Sequence, residues 1–599
     1  MPLPQPAADA PPRDRFDRVF FRDAWALAKP YFTRSRERWI AWGLVLLVLG
    51  TTLAMVYINL RITNWYNDFY NALQKYDQGA YWRLLGEFGI LAFIYIVLYV
   101  YQNYLSQYLD LRWRRWLTGT FLDRYLSAKL YYHLEVFKRG QDNPDQRIAD
   151  DLALFSQYTT SLFTGLLSSV ANLVAFLGLL WVLSSKVVIP WKGAEHHVTG
   201  FLVWVALAYS VIWTWFAAKI GNPLIRLNYH QQRLQADFRY SLVRLRENSE
   251  AVAFYRGEAK ERNQFDKRFD HVFGNYWRLI LRQKRFNWFT AYFNQFAIIL
   301  PFMAAASAYF AKAVPLGFLM QISAAFGNVQ NAFAYLAQSY NGLAQWHAVV
   351  DRLRGFLQLM NEIETLQRGT HEITRQPGPE FKVQGLTLRL PNGDTVVKGL
   401  DLAAGAGERL LITGRSGVGK STLLRAIAGL WPFGEGTVTL PPEDKYLFLP
   451  QKPYLPLGSL RDALLYPAAD PRVSDAELCK VLERVGLASF SELLGEVQPW
   501  SHILSLGEQQ RLALARVLLQ RPAYIFLDEA TSAVDEPAER ALYQVLAEDL
   551  PDSAVISVGH RRTLFGFHTR RLQLLEGGHW EITSLYSVDD SSGEATYAV

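Results

Sequence analysis

Six apolar runs, near 39–60, 86–105, 162–183, 198–218, 289–310 and 316–338, divide the first half of the chain. Each approaches the ~20 residues with which an α-helix crosses a bilayer, so the pattern predicts a six-span helical membrane domain over 39–360. Polar residues interrupt the fifth and sixth runs most. After the second and fourth runs, polar stretches of about 55 and 70 residues keep a helical period and predict extensions of the spans out of the bilayer. Within the first 38 residues and up to Trp39, the apolar Trp25, Leu27, Tyr31 and Phe32 stand among Arg and Lys, which predicts an interfacial elbow helix entering the first span. The polar residues, Pro and Gly of 361–379 read as a linker. Beyond it, 380–599 changes to short apolar strands and helical segments, the pattern of an α/β domain.

Charge orients this arrangement. The segments after the second and fourth runs hold Arg112, Arg114, Arg115, Arg124, Lys129, Lys138, Arg139 and Arg147, then a denser set from Lys219 to Arg285. The opposite loops hold only Arg61, Lys75, Arg83, Lys186, Lys192 and Lys312, so the basic side and the α/β domain are expected in the cytoplasm. The net charge of +7 is mostly this asymmetry and requires no nucleic-acid partner. The first residues, rich in Pro, Arg and Asp, lack an apolar core, and no cleavable signal peptide is expected. The single cysteine, Cys479, excludes an intrachain disulfide. His196 and His197 beside Glu195 read as a solvated external loop rather than a metal site, because adjacent side chains point apart.

Candidate chemistry concentrates in the α/β domain. Gly414-Arg415-Ser416-Gly417-Val418-Gly419-Lys420-Ser421-Thr422 follows the apolar Leu410, Leu411, Ile412 and Thr413 and precedes a helical pattern through Leu423, Leu424, Ile427 and Leu430. In a strand, glycine loop and helix, backbone N–H groups wrap phosphates, Lys420 neutralises them, and the Ser421 hydroxyl is placed for Mg2+. Tyr524-Ile525-Phe526-Leu527-Asp528-Glu529 reads as a buried strand ending in two carboxylates, the first placed for Mg2+ and the second for the attacking water.

Leu504-Ser505-Leu506-Gly507-Glu508-Gln509-Gln510-Arg511 resembles the signature of ABC transporters, with Leu506 where the commonest form has Gly. Gln451 in Leu449-Pro450-Gln451-Lys452 matches the family's Q-loop, Ser532-Ala533-Val534-Asp535 its D-loop, and His560 its switch histidine. The resemblance implies that Ser505, Leu506, Gly507, Glu508 and Gln509 act on ATP bound to a partner cassette, that Gln451 senses the metal, and that Glu529 and His560 serve hydrolysis. Where many cassettes stack an aromatic on adenine, this chain offers Leu390, which leaves the choice between ATP and GTP open.

Further segments narrow the resemblance. Glu250-Ala251-Val252-Ala253-Phe254-Tyr255, Asn143-Pro144-Asp145-Gln146, Gly429-Leu430-Trp431-Pro432 and Gly458-Ser459-Leu460-Arg461-Asp462 look like the peroxisomal acyl-CoA ABC half-transporters. Asn64-Trp65-Tyr66-Asn67-Asp68-Phe69-Tyr70 looks like the SbmA/BacA peptide transporters, which lack a cassette. Together they are similar to the bacterial group, the YddA and mycobacterial BacA-like proteins, that fuses an SbmA/BacA-type membrane domain to an ABC ATPase. This implies an exporter-type fold and a homodimer in the bacterial inner membrane.

Independently, Gln321, Asn328, Asn331, Tyr335 and Gln338 fall within about 100° of one another on a 3.6-residue helix. With Asn294 and Gln295 they can line a solute cavity, the alternative being helix-to-helix hydrogen bonding. The expectation is an ATP-driven transporter, binding ATP and Mg2+ and importing peptides or other hydrophilic solutes, cobalamin-like ones included, without an obligatory binding protein. The rivals are an acyl-CoA or lipid transporter, and a nucleotide-gated or proton-driven facilitator.

Overall fold

The computed structural model describes residues 18–137, 143–187, 189–191, 194–196, 198–369, 372–467, 472–587 and 596–597. It divides into two compact units, one built from residues 10–124 and 142–358, the other from 125–141 and 359–599 with the first nine residues.

The first unit is helical. The elbow helix α1 spans Arg18–Thr33, followed by α2 (Arg38–Gln74) and α3 (Gln78–Leu126). The chain passes through α4 (Leu130–Phe137) in the other unit and returns as α5 (Leu152–Ser184), α6 (Phe201–Glu247), the short α7 (Ser249–Tyr255), α8 (Glu258–Phe310), α9 (Leu316–Gln338) and α10 (Tyr340–Gly369). The expected extensions are present as continuous helix: α8 has 53 residues. At 1.5 Å per residue that is about 80 Å, far longer than a bilayer is thick.

Among the described residues five helices are long and apolar enough to cross a membrane. The run at 316–338, expected as a sixth span, is helical as α9 but is not one of the five. Its polar residues lower its hydropathy, and they have structural partners. Gln321 donates to Asn64 Oδ1 (2.8 Å), Asn59 donates to Asn328 Oδ1 (2.9 Å), and Gln330 donates to Asn294 Oδ1 (3.1 Å). The N-terminal end of α9 is capped from α2, where Gln74 accepts from the Leu316 amide and Asn71 from the Gly317 amide, both at 2.9 Å. The opposite stripe, Ile322, Ala325, Phe326 and Val329, is buried at i, i+3, i+4 and i+7 against Phe176, Leu180, Val203 and Ala206. Alanines at 206, 297, 305 and 325 let the helices approach closely there.

A buried ion cluster pins the start of α5. Asp151 is 1 % exposed and accepts from Arg147 Nη1 (2.7 Å) and from both Nε (2.9 Å) and Nη2 (2.6 Å) of Arg352 on α10. Removing one partner of such a cluster strands a buried charge, so Arg352→Leu is expected to destabilise this unit by about 3–5 kcal/mol. Thermal unfolding in detergent checks this: an unchanged midpoint would contradict it.

The second unit is the α/β domain. Its main sheet has the order β10-β9-β4-β8-β7-β6, built from β4 (Arg409–Thr413), β6 (Tyr446–Leu449), β7 (Tyr524–Asp528), β8 (Ala554–Val558), β9 (Arg570–Leu574) and β10 (Trp580–Ser584). The pairing is parallel except for the β9–β10 hairpin, and the central strands are apolar on both faces, as a covered parallel sheet requires. A four-stranded sheet, β1-β5-β2-β3, joins β1 (Glu372–Pro377), β2 (Phe381–Arg389), β3 (Thr395–Ala404) and β5 (Gly434–Leu440). Within 361–379, read as a linker, α10 runs to Gly369 and Glu372–Pro377 form strand β1, which pairs in parallel with β5 from Glu372↔Glu435 to Pro377↔Leu440. As an edge strand, β1 keeps a solvent side, which suits its polar residues.

The longer helices of the domain are α11 (Lys420–Ala428), α12 (Leu460–Leu465), α13 (Asp475–Arg484), α14 (Leu506–Gln520) and α15 (Glu536–Asp549). They serve two cores. One joins Leu423, Leu424 and Ile427 of α11 to the four-stranded sheet; the other joins α12, α13 and α14 around Trp500, Leu478 and Leu512.

The segment 125–137 between the membrane helices belongs to this unit, with Val136 packed on its core. Lys129 Nζ donates to Ala428 O at 3.3 Å, at the C-terminal end of α11. Arg375 binds the same helix end through Ala426 O (2.7 Å) and Ile427 O (2.6 Å). Two cations thus meet the negative end of a helix whose other end opens the phosphate loop.

Candidate functional site

The loop from Gly414 to Gly419 joins β4 to α11, and its glycines at 414, 417 and 419 take φ of 148°, 82° and 110°. At 417 and 419 only glycine adopts this backbone freely. Gly419 also packs on β3: a Cβ there would stand 3.1 Å from Val396 Cβ. Lys420, the first residue of α11, is buried and donates Nζ to Gly414 O (2.9 Å) and Arg415 O (3.0 Å). Its ammonium is thereby held across the loop mouth, where the positive helix end also favours an anion. Arg415 is exposed and paired with Glu576 at 2.9 Å. Ser416 is exposed too, while Val418 packs on the core and Thr422 lies within α11.

Ser421 Oγ donates to Asp528 Oδ1 at 3.0 Å. Burial pushes the Asp528 carboxyl up from its ordinary range, and the neighbouring Glu529 adds to this against the Ser421 hydrogen bond. Among the described residues no three His, Cys, Asp or Glu form a cage for a metal. Mg2+ does not require one: it takes one or two protein oxygens and completes its shell with water and phosphate. Two hard oxygens 3.0 Å apart at the phosphate loop, one from a hydroxyl and one from a carboxyl raised by burial, fit such an ion.

Glu529 follows β7 with φ of 48°, a left-handed conformation unusual for a non-glycine residue. Its amide donates to Val558 O (3.2 Å), and Gln451 Nε2 donates to its carboxylate at 3.0 Å. His560 stands exposed two residues beyond β8. Gln451, Asp528 and Glu529 are therefore brought to one sheet edge, with Ser421 and Lys420 facing them.

Ser505 caps α14 in a reciprocal capping box. Its hydroxyl accepts from the Glu508 amide (3.4 Å), and its own amide donates to Glu508 Oε2 (2.8 Å). Hydrogen bonds from Ser505 hold the Glu508 carboxyl below the usual carboxylate range. Leu506 is exposed, and Gly507 fits tightly: a Cβ there would come 2.9 Å from Ala533 O. Gln509 is buried and donates to Ser501 O (3.0 Å) and Leu504 O (2.8 Å), so it shapes the turn. Asp535 caps α15 through the Ala538 amide at 2.9 Å.

Leu390 closes the β2–β3 hairpin, its amide bonded to Asp394 O at 2.8 Å, and Val396 of β3 meets Gly419. Among the expected cavity residues, Gln321 and Asn328 are engaged in the helix contacts above, and Asn294 accepts from Gln330. Tyr335 Oη reaches Leu162 O at 3.5 Å, Gln295 and Asn331 are exposed, and the Gln338 side chain lies outside the described residues, as do those of Glu195, His196 and His197.

The structure adds residues that motif reading passed over. Gln510, wholly buried, donates to Gln451 O (2.8 Å) and accepts from the Ala533 amide (2.9 Å), tying three loops together. Arg561 donates to Val534 O (2.7 Å) and Ser532 O (3.0 Å). The adjacency of Gln510 to the signature and of Arg561 to His560 was the available signal. His568 is buried between Leu564 O (2.7 Å) and Ser557 Oγ (2.9 Å), and burial pushes its imidazole down to about 4.

The unfolded chain, with an imidazole near 6.5, takes up that proton before the folded domain does. This contribution to stability is full at neutral pH and falls as pH drops from about 6.5 toward about 4, by up to ~3 kcal/mol. The unfolding midpoint should drop by several degrees between pH 7 and pH 5, and His568→Gln should flatten that slope; a slope unchanged in the variant would contradict the assignment.

Strand, glycine loop, buried lysine and paired carboxylates, in a chain that also carries apolar spanning helices, define a multi-pass membrane protein with an ATP-binding domain. Residues 27–310 match the family described as ABC transporter transmembrane region 2, and residues 397–532 match the ABC transporter family. An uncharacterized ABC transporter ATP-binding protein of Synechocystis is 37% identical, over 94% of this chain and 85% of its own length. The inner membrane ABC transporter ATP-binding protein YddA of Escherichia coli is 32% identical, over 89% and 94%. The human lysosomal cobalamin transporter ABCD4 is 27% identical, over 97% and 99%. The chain belongs to the ABC transporters, in the branch of half-transporters that fuse one transmembrane region to one cassette, and it couples ATP hydrolysis to transport.

Proposed function

We propose that two copies of this chain form a bacterial inner-membrane transporter in which each cassette completes the other's ATP site. The observation that carries this is the division of the cassette into two cores: the phosphate loop opens α11 in one, and Ser505 caps α14 in the other. A signature built on a separate core suits a nucleotide held by a partner. Lys420 and the amides of residues 414–422 hold phosphate, Ser421 and Asp528 hold Mg2+ with Gln451 beside them, and Asp535 belongs to the facing surface. Bound ATP·Mg2+ supplies the free energy of phosphoryl transfer. Glu529 orients the attacking water and accepts its proton, and His560 contacts the terminal phosphate.

The cargo is a peptide or another hydrophilic solute, taken inward. The polar character of the membrane helices supports this, as does the relative named a cobalamin transporter. A second reading, an acyl or lipid cargo, is favoured by an aromatic cavity of about 390 Å3 lined by Trp25, Phe32, Trp42, Trp113, Phe163 and Trp346. Inside-out and right-side-out vesicles given ATP on the cassette side separate these readings. ATP-dependent movement of labelled peptide or cobalamin supports the first, and movement of acyl-CoA alone overturns it.

A further inference from the structure

The face of α9 that sequence pattern marked for a cavity is largely spent on helix contacts, but a polar cleft opens elsewhere. Gln102, Ser106 and Asp110 share one face of α3, and Gln157, Thr160 and Thr164 share one face of α5; between them lies a cavity of about 430 Å3. That volume is within the ~300–1,000 Å3 of ordinary small-ligand pockets. Apart from Gly165, its lining is polar. Gly165 also lies against Tyr335 of α9: a Cβ there would come 2.1 Å from its hydroxyl.

The cleft holds a carboxylate that is only partly satisfied, with Ser156 and Arg114 acting on it. Asp110 Oδ1 is buried without a hydrogen-bond partner, and so is Thr160 Oγ1 on the facing helix. Ser156 lies beside the carboxylate. Arg112, two residues on from Asp110, pairs with Glu37 (3.0 Å). Arg114, one turn beyond Asp110, points at Ala149 O (3.5 Å). A carboxylate oxygen buried without a partner is costly unless a donor or cation meets it. Thr160 and Thr164 also line the aromatic cavity beside α1, so the polar cleft and the apolar cavity adjoin along α5.

We propose that these two adjoining cavities form a binding site for an amphipathic cation, whose protonated amine or guanidinium meets Asp110 and whose apolar part enters the aromatic cavity. This names the cargo class of the transporter read above and rests on that reading. Aromatic walls suit such a ligand twice, since they cover its apolar part and attract its charge.

The test is equilibrium binding of the labelled peptide Lys-Trp-Lys to the full chain in lipid nanodiscs. The expected result is saturable binding that weakens tenfold or more in Asp110→Asn, recovers in Asp110→Glu, and disappears when both lysine side chains and the N-terminal amine are acetylated. Thr160→Val gives a second variant that preserves shape while removing the facing hydroxyl, and it should weaken binding several-fold. Basal ATPase turnover, in which Asp110 has no part, reports that each variant is folded. Equal affinity in wild type and Asp110→Asn, or no binding by a wild-type protein that still hydrolyses ATP, overturns the site. Asp110-dependent binding with no ATP-driven accumulation in vesicles would leave the site standing and overturn the transport reading instead.

Discussion

Replacing Glu529 by Gln is expected to leave ATP binding within about twofold of wild type and to lower steady-state turnover by about 10^2–10^4, the usual contribution of a positioned general base. The substitution is nearly isosteric. Gln451 donates to the Glu529 carboxylate at 3.0 Å, and the amide oxygen of Gln can accept the same bond. The left-handed backbone at 529 is fixed by main-chain bonds that the side chain does not make, the 529 amide to Val558 O (3.2 Å) and the Ser532 amide to Glu529 O (3.0 Å). What disappears is the proton acceptor. Turnover and nucleotide affinity measured on the same preparation decide the point. Turnover within tenfold of wild type would remove Glu529 from the chemistry, and a matching loss of affinity would show a structural role.

Lys420→Ala should act one step earlier and weaken ATP binding by about a hundredfold or more, the order expected when one partner of a buried, hydrogen-bonded charge contact is truncated. Its ammonium bridges Gly414 O and Arg415 O (2.9 and 3.0 Å) and is buried at the start of α11. No other loop side chain can replace it: Arg415 is exposed and held by Glu576. The C-terminal end of α11, bound by Arg375, is untouched, so the domain should fold and unfold near the wild-type temperature. An affinity within fivefold of wild type would contradict the role given to Lys420.

Much of the cassette was legible because its chemistry is local. Glycines 417 and 419, Lys420 and Ser421 act through a loop that a short sequence specifies by itself, and the strand before Asp528 announces itself by four apolar residues. What required the structure were contacts between distant segments. Strand β1 looks like linker in sequence because its partner β5 lies some sixty residues on, from Glu372↔Glu435. The polar stripe of α9 is the same whether it meets water or another helix. Only Asn59, Asn64 and Asn294 on neighbouring helices decide it. Asp110 carries no motif; what marks it is a buried Oδ1 without a hydrogen-bond partner at the wall of a polar cavity.

The central claim is that each ATP site is shared between two chains, and complementation tests it most directly. Turnover is measured for purified Lys420→Ala homodimers, for Ser505→Arg homodimers, and for the heterodimer isolated through two different tags. In the heterodimer one site combines both lesions, while the other pairs an intact phosphate loop with an intact signature. The account predicts turnover near background in both homodimers and recovery to a substantial fraction of wild type in the heterodimer. Wild-type turnover by the Ser505→Arg homodimer, or a heterodimer no more active than either parent, would contradict it.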